Sequence, residues 1–148
     1  MNIDPHKLHE LLNYCIDFAK TMLNNSGEFY PFGAAVGIDG QVKAVGGYDG
    51  KEHPNPQDIY RLLGESFTSN AQTGEICAAA LAANVNIPQE YQAPVPDGLR
   101  VHLECDGFSR FIYVPYELER KGIFRKTTEA KFYEPIPVEI GPAFFRPA

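Results

Sequence analysis

The residues most able to do chemistry together lie in an alternating stretch, residues 99–105. Apolar and polar residues alternate there, which predicts a strand whose polar face carries His102 and Glu104. An Asp106-Gly107 turn leads into a second strand, and we expect Arg110 to lie within cross-strand reach of both side chains. An imidazole, a carboxylate and a guanidinium could recognise a charged ligand. They could equally form paired charges on a solvent-exposed sheet face.

Two tyrosines extend this candidate recognition patch. Tyr30 and Tyr48 fall at predicted strand ends, where a hydroxyl can point toward the rim of a groove or cap the core. The patch predicted from the sequence therefore comprises His102, Glu104, Arg110, Tyr30 and Tyr48.

No complete catalytic set accompanies the patch. A nucleophile needs a base and an orienting group beside it, and strand alternation places Cys105 on the opposite face from His102 and Glu104. His6 and His9 are three residues apart, but no further ligand lies nearby in the sequence. We predict no catalytic residue, no metal site and no cofactor, and we favour a non-enzymatic role while leaving activity open.

One local pattern resembles the cytidine deaminases. Phe32-Gly33-Ala34-Ala35-Val36, Asp39-Gly40 and Glu75-Ile76-Cys77-Ala78 follow one another in the order that those enzymes use. The family implies a zinc-bound hydroxide, three protein ligands and a glutamate that transfers the proton. Ala79 stands where that glutamate would be, and no Pro-Cys-x-x-Cys follows. We therefore reject deaminase activity and expect Cys77 to be a small buried residue on a helix.

The elements that must position these residues are predicted from caps and periodicity. Asp4-Pro5 begins a first helix, which has an apolar stripe along one face. Asn55-Pro56 begins a second helical region, and apolar residues recur at helical spacing as far as Val85. This region could form one bent helix or two helices in sequence. Residues 115–122 are predicted as a short helical turn. Pro135 and Pro137 cannot donate to a ladder, so residues 136–140 are an edge strand if they form a strand at all. The order is α-ββ-α-ββ-(α)-β. It predicts a single α+β domain over residues 1–148, with helices on one face of an antiparallel sheet of about five strands.

The first hairpin offers a candidate contact surface. Pairing Val36 with Val42 and Ala34 with Ala44 requires a three-residue loop with Gly40 in the left-handed conformation, and the pairing would continue to Tyr30 and Tyr48. The other face is then nearly flat, so a helix or a second chain could lie close on it. Near the C-terminus, two aromatic residues either dock on the body or meet a partner. The residues of the predicted interface are Gly33, Ala35, Gly37, Phe144 and Phe145.

Composition narrows the classes of function. The net charge is −6 and the 13 lysines and arginines are scattered, which argues against nucleic-acid binding. No apolar run approaches the ~20 residues that span a membrane. Three cysteines and the absence of a recognisable export signal predict a cytoplasmic protein with reduced thiols.

The chain as a whole resembles a set of small uncharacterised bacterial α+β proteins. The likeness rests on Phe32-Gly33 before the Asp-Gly hairpin, on residues 77–85, and on Val114-Pro115-Tyr116. The element order is also similar to the layered profilin or roadblock domains, whose members act by binding. Our first hypothesis is a non-enzymatic domain that binds a protein partner or itself. One alternative is an immunity or inhibitor protein for a basic partner, and another is a small-molecule binder or enzyme using the recognition patch.

Overall fold

The computed structural model describes residues 3–46, 55–123 and 127–147, and its two α-helices and antiparallel sheet confirm the predicted α+β class. A 3₁₀ turn over Gln89–Tyr91 joins the third and fourth strands. The elements run α1 (Pro5–Ser26), β1 (Phe32–Gly37), β2 (Val42–Val45), α2 (Pro56–Thr73), β3 (Ile76–Asn86), β4 (Asp97–Cys105), β5 (Phe108–Lys121), β6 (Thr127–Phe132) and β7 (Ile136–Glu139).

Helix α1 begins and ends where its sequence signals place it. The Asp4 carboxylate accepts a hydrogen bond of 2.9 Å from the backbone N–H of His6, and Pro5 occupies the first helical position. Gly27, at φ 74°, ends the helix and donates its N–H to the Leu23 carbonyl. The buried residues recur every four positions and form one stripe: Leu11, Cys15, Ala19 and Leu23.

The predicted register of the first hairpin is confirmed. Val36 is opposite Val42 and Ala34 is opposite Ala44, and Gly40 has φ 77° as the three-residue loop requires. The predicted continuation from Tyr30 to Tyr48 lies outside the described residues, because Tyr48 is not among them.

The prediction that helix α2 continues toward Val85 is wrong. The helix starts at Pro56 with Asn55 as its cap, but it ends at Thr73 because Gly74 adopts φ 77°. The chain then forms β3, so Cys77 lies on a strand and is only half-buried. Residues 78–83 are all buried, since helices pack on both sides of this strand. A strand buried on both faces lacks the alternation that identifies a strand in a sequence.

The sheet has more strands than the five expected. Its order is β2-β1-β3-β4-β5-β6, and β7 pairs with β5 beside β6, with every pairing antiparallel. Among the strands that the structure describes, β7 pairs with β5 alone, which confirms the predicted edge strand. In the described part of the chain, no helix is long and apolar enough to cross a membrane.

The predicted helical turn over residues 115–122 is also wrong, because β5 runs through it to Lys121. Pro115 forms the last pair of β5 with β4, opposite Gly98, and the next residue, Tyr116, forms the first pair with β6. The Pro115 carbonyl accepts a hydrogen bond of 2.9 Å from the Tyr133 N–H. The strand β6 was not predicted, since Ala130 is its only buried residue.

The two helices pack on opposite faces of the sheet, so the prediction that both lie on one face is wrong. Helix α1 covers Ala34 and the alternate alanines of β3, whereas α2 covers Ala35, Ala79 and Leu81. Ile59, Leu63 and Phe67 are the buried residues through which α2 makes this contact. The sheet curves around α1, which contacts β1, β3, β4 and β6.

A methyl group added at Gly33 tests how tightly α2 packs. A Cβ there would lie 2.6 Å from Cζ of Phe67 and 3.0 Å from the Ala80 carbonyl oxygen. We expect Gly33→Ala to lower the free energy of unfolding by roughly 1–3 kcal/mol, because the buried Phe67 ring has little room to move. Urea denaturation measures this directly.

The matched control is Gly141→Ala, because a Cβ at Gly141 meets no described atom within 4 Å. We expect that variant to change stability by less than about 1 kcal/mol. Equal effects at the two positions would contradict the close approach of α2 to Gly33.

Candidate functional site

The structure brings together two members of the predicted patch and separates a third. His102 and Glu104 are on the face of β4 that α2 shares, and both are buried. Arg110 is opposite Leu103 in the register, so its side chain lies on the other face, and the prediction that it joins the cluster is wrong. Ser109, opposite Glu104, takes that place instead. Arg110 packs its guanidinium 4.6 Å over the ring of Phe108.

The Glu104 carboxylate is enclosed by its own chain. Its side chain has 0% exposure, and its oxygens accept hydrogen bonds from the backbone N–H groups of Ala143, Phe144 and Phe145 at 2.7–3.1 Å. The hydroxyl of Ser109 also donates to it, at 3.0 Å. We call residues 141–147 the C-terminal segment. Glu104 is the anchor that holds this segment against the sheet.

The pKa of the Glu104 carboxyl reflects two opposing effects. Burial raises the pKa, because a charged group is poorly solvated there. The hydrogen bonds from His102 and from the amides of Phe145, Ala143 and Phe144 outweigh burial and lower the pKa from 4.5 to about 2. The anchor is therefore an anion over the whole neutral range, and it takes part in folding in that form.

The cluster lacks the geometry of a catalytic triad. A triad imidazole contacts the acid with one ring nitrogen and the nucleophile with the other. Here Nε2 of His102 faces both Glu104, at 2.7 Å, and the Ser109 hydroxyl, at 3.4 Å. The Phe144 ring also stacks on the imidazole with centroids 4.4 Å apart, which closes the site to a substrate. The arrangement is a structural anchor.

The residues of the predicted interface are used largely within the chain. Gly33 and Ala35 lie beneath α2, and Gly37 is half-buried at the end of β1. Phe144 docks on the body, with its ring 5.6 Å from that of Phe67, and Phe145 is half-buried beside it. Of the two alternatives for these aromatic residues, docking on the body is confirmed for Phe144.

A cavity opens on the same face of the sheet, and Arg100, two residues before His102 on β4, lines it. Strand β3 continues to Asn86 although its last pair with β1 is Phe32 with Ala82, so the sheet has a notch at that end. The loop before β1 and the first turns of α2 border the notch, which encloses about 550 Å³. The lining residues are Glu28, Phe29, Tyr30, Pro31, Pro56, Gln57, Tyr60, Ala83, Asn84, Val85 and Arg100.

Arg100 gives this cavity its chemistry, and we call it the Arg100 cavity. The guanidinium carbon lies 4.5 Å over the ring of Phe111 and 5.4 Å over the ring of Tyr60. Its Nε is buried and has no hydrogen-bond partner among the residues that the structure describes. Buried donors in folded proteins are nearly always paired, so an unpaired one marks a place where a partner is expected.

The start of α2 adds little to the charge of the cavity. The Asn55 side chain accepts from the Gln57 N–H at 2.8 Å, and the Asn55 carbonyl accepts from the Ile59 N–H at 3.1 Å. Asp58 also places a negative charge in the first turn. The positive end of the helix is thus largely satisfied within the chain, and Arg100 is the cationic group among the described residues that line the cavity.

Sequence reasoning identified the right strand face but the wrong residues on it. Arg100 belongs to the same alternation as His102 and Glu104, so it could have been included in the patch. Of the predicted tyrosines, Tyr30 lies at the cavity rim with 47% exposure, whereas Tyr48 is outside the described residues. No pattern in the sequence indicated the amides of the C-terminal segment, which lie about 40 residues from Glu104.

Metal chemistry finds no site in the described part of the chain. No group of three or more His, Cys, Asp and Glu side chains there could hold a metal ion.

Comparison with protein-family models, curated proteins and solved structures gives no match. The likeness to small bacterial proteins and to profilin or roadblock domains stays a prediction, and the site is interpreted from its own geometry.

The low pKa of Glu104 predicts an acid-sensitive anchor. Because the folded pKa is about 2 and the ordinary value is 4.5, the carboxylate contributes its full stability above pH 4.5. That contribution, about 3 kcal/mol for such a shift, is lost as the pH falls toward 2. We expect Glu104→Gln to be less stable than the natural chain in urea at pH 7, and the gap to shrink steadily between pH 4.5 and pH 2.

The control is Glu139→Gln, which removes an exposed carboxylate from strand β7. It should leave both the stability at pH 7 and its pH dependence nearly unchanged. If the gap between Glu104→Gln and the natural chain were the same at pH 7 and pH 2.5, the anchor would not depend on the ionised carboxylate.

Proposed function

We propose that this protein binds a small organic anion in the Arg100 cavity. The observation that carries the proposal is the buried Nε of Arg100, which has no partner among the described residues. Among the described residues no carboxylate forms an ion pair with Arg100, since none of the ion pairs there includes it. An anionic ligand would supply the missing acceptor.

The surroundings of Arg100 favour a planar acceptor such as a carboxylate. The rings of Phe111 and Tyr60 lie against the guanidinium, so its in-plane N–H groups are the ones left to donate. A guanidinium binds a carboxylate or a phosphate through two parallel hydrogen bonds in that plane. The volume of about 550 Å³ falls within the range of small-molecule sites.

The lining favours binding over catalysis. Among the described residues that line it, Glu28 and Arg100 are the charged ones, and none is a cysteine, serine, threonine or histidine. Nucleophilic catalysis requires such a residue together with a base. A binding role agrees with our first hypothesis in being non-enzymatic, but the partner is now a small molecule.

Two further expectations remain proposals. The first is a protein partner or a second copy of the chain, for which Gly37 and Phe145 remain partly exposed, whereas Gly33, Ala35 and Phe144 are buried within the described part of the chain. We also propose a cytoplasmic location, which the three cysteines support because all are free and two are buried.

Replacing Arg100 tests the proposal with benzoate as the anionic probe and benzamide as its neutral analogue. We expect benzoate to shift the backbone NMR signals of the cavity residues saturably, and benzamide to do so much more weakly. Arg100→Met should weaken benzoate binding by roughly 10- to 100-fold, because a hydrogen bond to a charged group is worth roughly 1.5–3 kcal/mol.

The matched control is Arg61→Met, which removes an exposed arginine of α2 that pairs with Glu65 at 3.2 Å outside the cavity. It should leave benzoate binding unchanged. The proposal is overturned if benzoate and benzamide bind equally, or if the two arginine variants behave alike.

A stability measurement separates a ligand-binding role from a structural one. Because the Nε of Arg100 is desolvated without a partner, Arg100→Met should unfold at a temperature no lower than that of the natural chain. A structural arginine would behave in the opposite way, and its loss would lower the unfolding temperature.

A further inference from the structure

We infer that the ligand of the Arg100 cavity is an aromatic zwitterion, a molecule that carries a carboxylate, an ammonium group and a ring, as an aromatic α-amino acid does. This inference rests on the proposed function and specifies the class of ligand. It follows from the charges that line the cavity, from the polar backbone at its edge and from the rings around it.

The cavity is lined by one unpaired charge of each sign. Arg100 forms no ion pair or hydrogen bond through its side chain with the described residues, and the same is true of Glu28. The two groups also do not pair with each other, although they line the same cavity. A ligand with opposite charges at two points can contact both groups at once.

The two charges come from different borders of the cavity. Arg100 lies on β4 and is half-buried against the rings of Phe111 and Tyr60, whereas Glu28 is exposed in the loop between α1 and β1. The inner cation would therefore receive the carboxylate of the ligand. The ammonium group would lie toward the rim and the solvent, close to Glu28.

The sheet edge provides further groups that suit such a ligand. Over residues 83–86, β3 is paired with β4 on one side but has no described strand on the side that faces the notch. Ala83, Asn84 and Val85 line the cavity there. Unpaired backbone N–H and C=O groups of a sheet edge can bind a carboxylate and an ammonium group respectively.

The remaining lining selects a ligand with a ring. Phe29, Tyr30 and Tyr60 border the cavity, and Tyr30 is exposed enough to pack on an incoming molecule. Aromatic rings pair favourably in offset or edge-to-face arrangements, and they bury a large apolar area. A cavity of about 550 Å³ accommodates a single substituted ring with a short polar side chain.

The same charge balance disfavours nucleotides and other polyphosphates. Among the described lining residues, Arg100 is the one cation and Glu28 opposes a second negative charge. The whole chain has a net charge of −6, so a multiply charged anion meets repulsion at long range as well.

Four probes that share a phenyl ring test the inference by NMR titration of the full chain. They are L-phenylalanine, 3-phenylpropionate without the ammonium group, phenethylamine without the carboxylate, and phenyl phosphate. We expect L-phenylalanine to bind most tightly, and Arg100→Gln to weaken both L-phenylalanine and 3-phenylpropionate by roughly 10- to 100-fold.

Replacing Glu28 then distinguishes the zwitterion from a simple anion. We expect Glu28→Gln to weaken L-phenylalanine by roughly two- to five-fold, the range of a solvent-exposed charge pair. The same change should not weaken 3-phenylpropionate, which has no positive charge to pair. Glu65→Gln, which removes an exposed carboxylate of α2 away from the cavity, should alter neither.

The outcomes separate this inference from the proposed function. If no probe binds in a way that depends on Arg100, the proposed anion site is itself wrong. If 3-phenylpropionate or phenyl phosphate binds as tightly as L-phenylalanine, or if Glu28→Gln affects L-phenylalanine and 3-phenylpropionate alike, the anion site stands and the zwitterion is rejected.

Discussion

The fold depends on the close packing of two helices against the two faces of one pair of strands. The helices α1 and α2 approach the β1–β3 pair from opposite sides. The small side chains of glycine and alanine on these two strands allow both helices to pack close to the sheet. Gly33 under Phe67 marks the closest approach. On the α2 face of this pair Leu81 is the large side chain of β3, and further large side chains, among them His102 and Arg100, lie on β4. The C-terminal segment and the Arg100 cavity both occur there.

Two charged side chains on that one face of β4 have opposite environments. Glu104 is fully buried and accepts hydrogen bonds from a histidine, a serine and three amides, so the cost of its desolvation is offset within the chain. Arg100, four residues earlier, has ring contacts but no hydrogen bond from its side chain to the described residues. Their different contacts explain why one acts in folding and the other is available to a ligand. Glu104 and Arg100 lie on the same face of β4, so strand alternation does not distinguish them. The chain segments that pack around each residue account for their different environments.

The local features were predictable, and the errors came from distant ones. The caps at Asp4 and Asn55 and the left-handed Gly40 depend on a few neighbouring residues, so short sequence patterns define them. Strand β3 was mistaken for a helix because its burial on both faces depends on two helices, one of which begins about 70 residues earlier. The prediction of the site was incomplete for the same reason. Strand alternation identified the face that carries His102 and Glu104, but the segment that covers these residues comes from the far end of the chain.

The anchor and the cavity are joined by a continuous series of ring contacts. The guanidinium of Arg100 lies over Phe111, Phe111 meets His102 edge to face with centroids 5.3 Å apart, and His102 stacks on Phe144. His102 and Phe144 are themselves held by Glu104. These contacts hold the long side chain of Arg100 in one position. The conformational entropy of that side chain is therefore lost when the protein folds and not when a ligand binds. Binding of the proposed ligand would then require little further ordering of Arg100, because preorganisation lowers the entropic cost of binding.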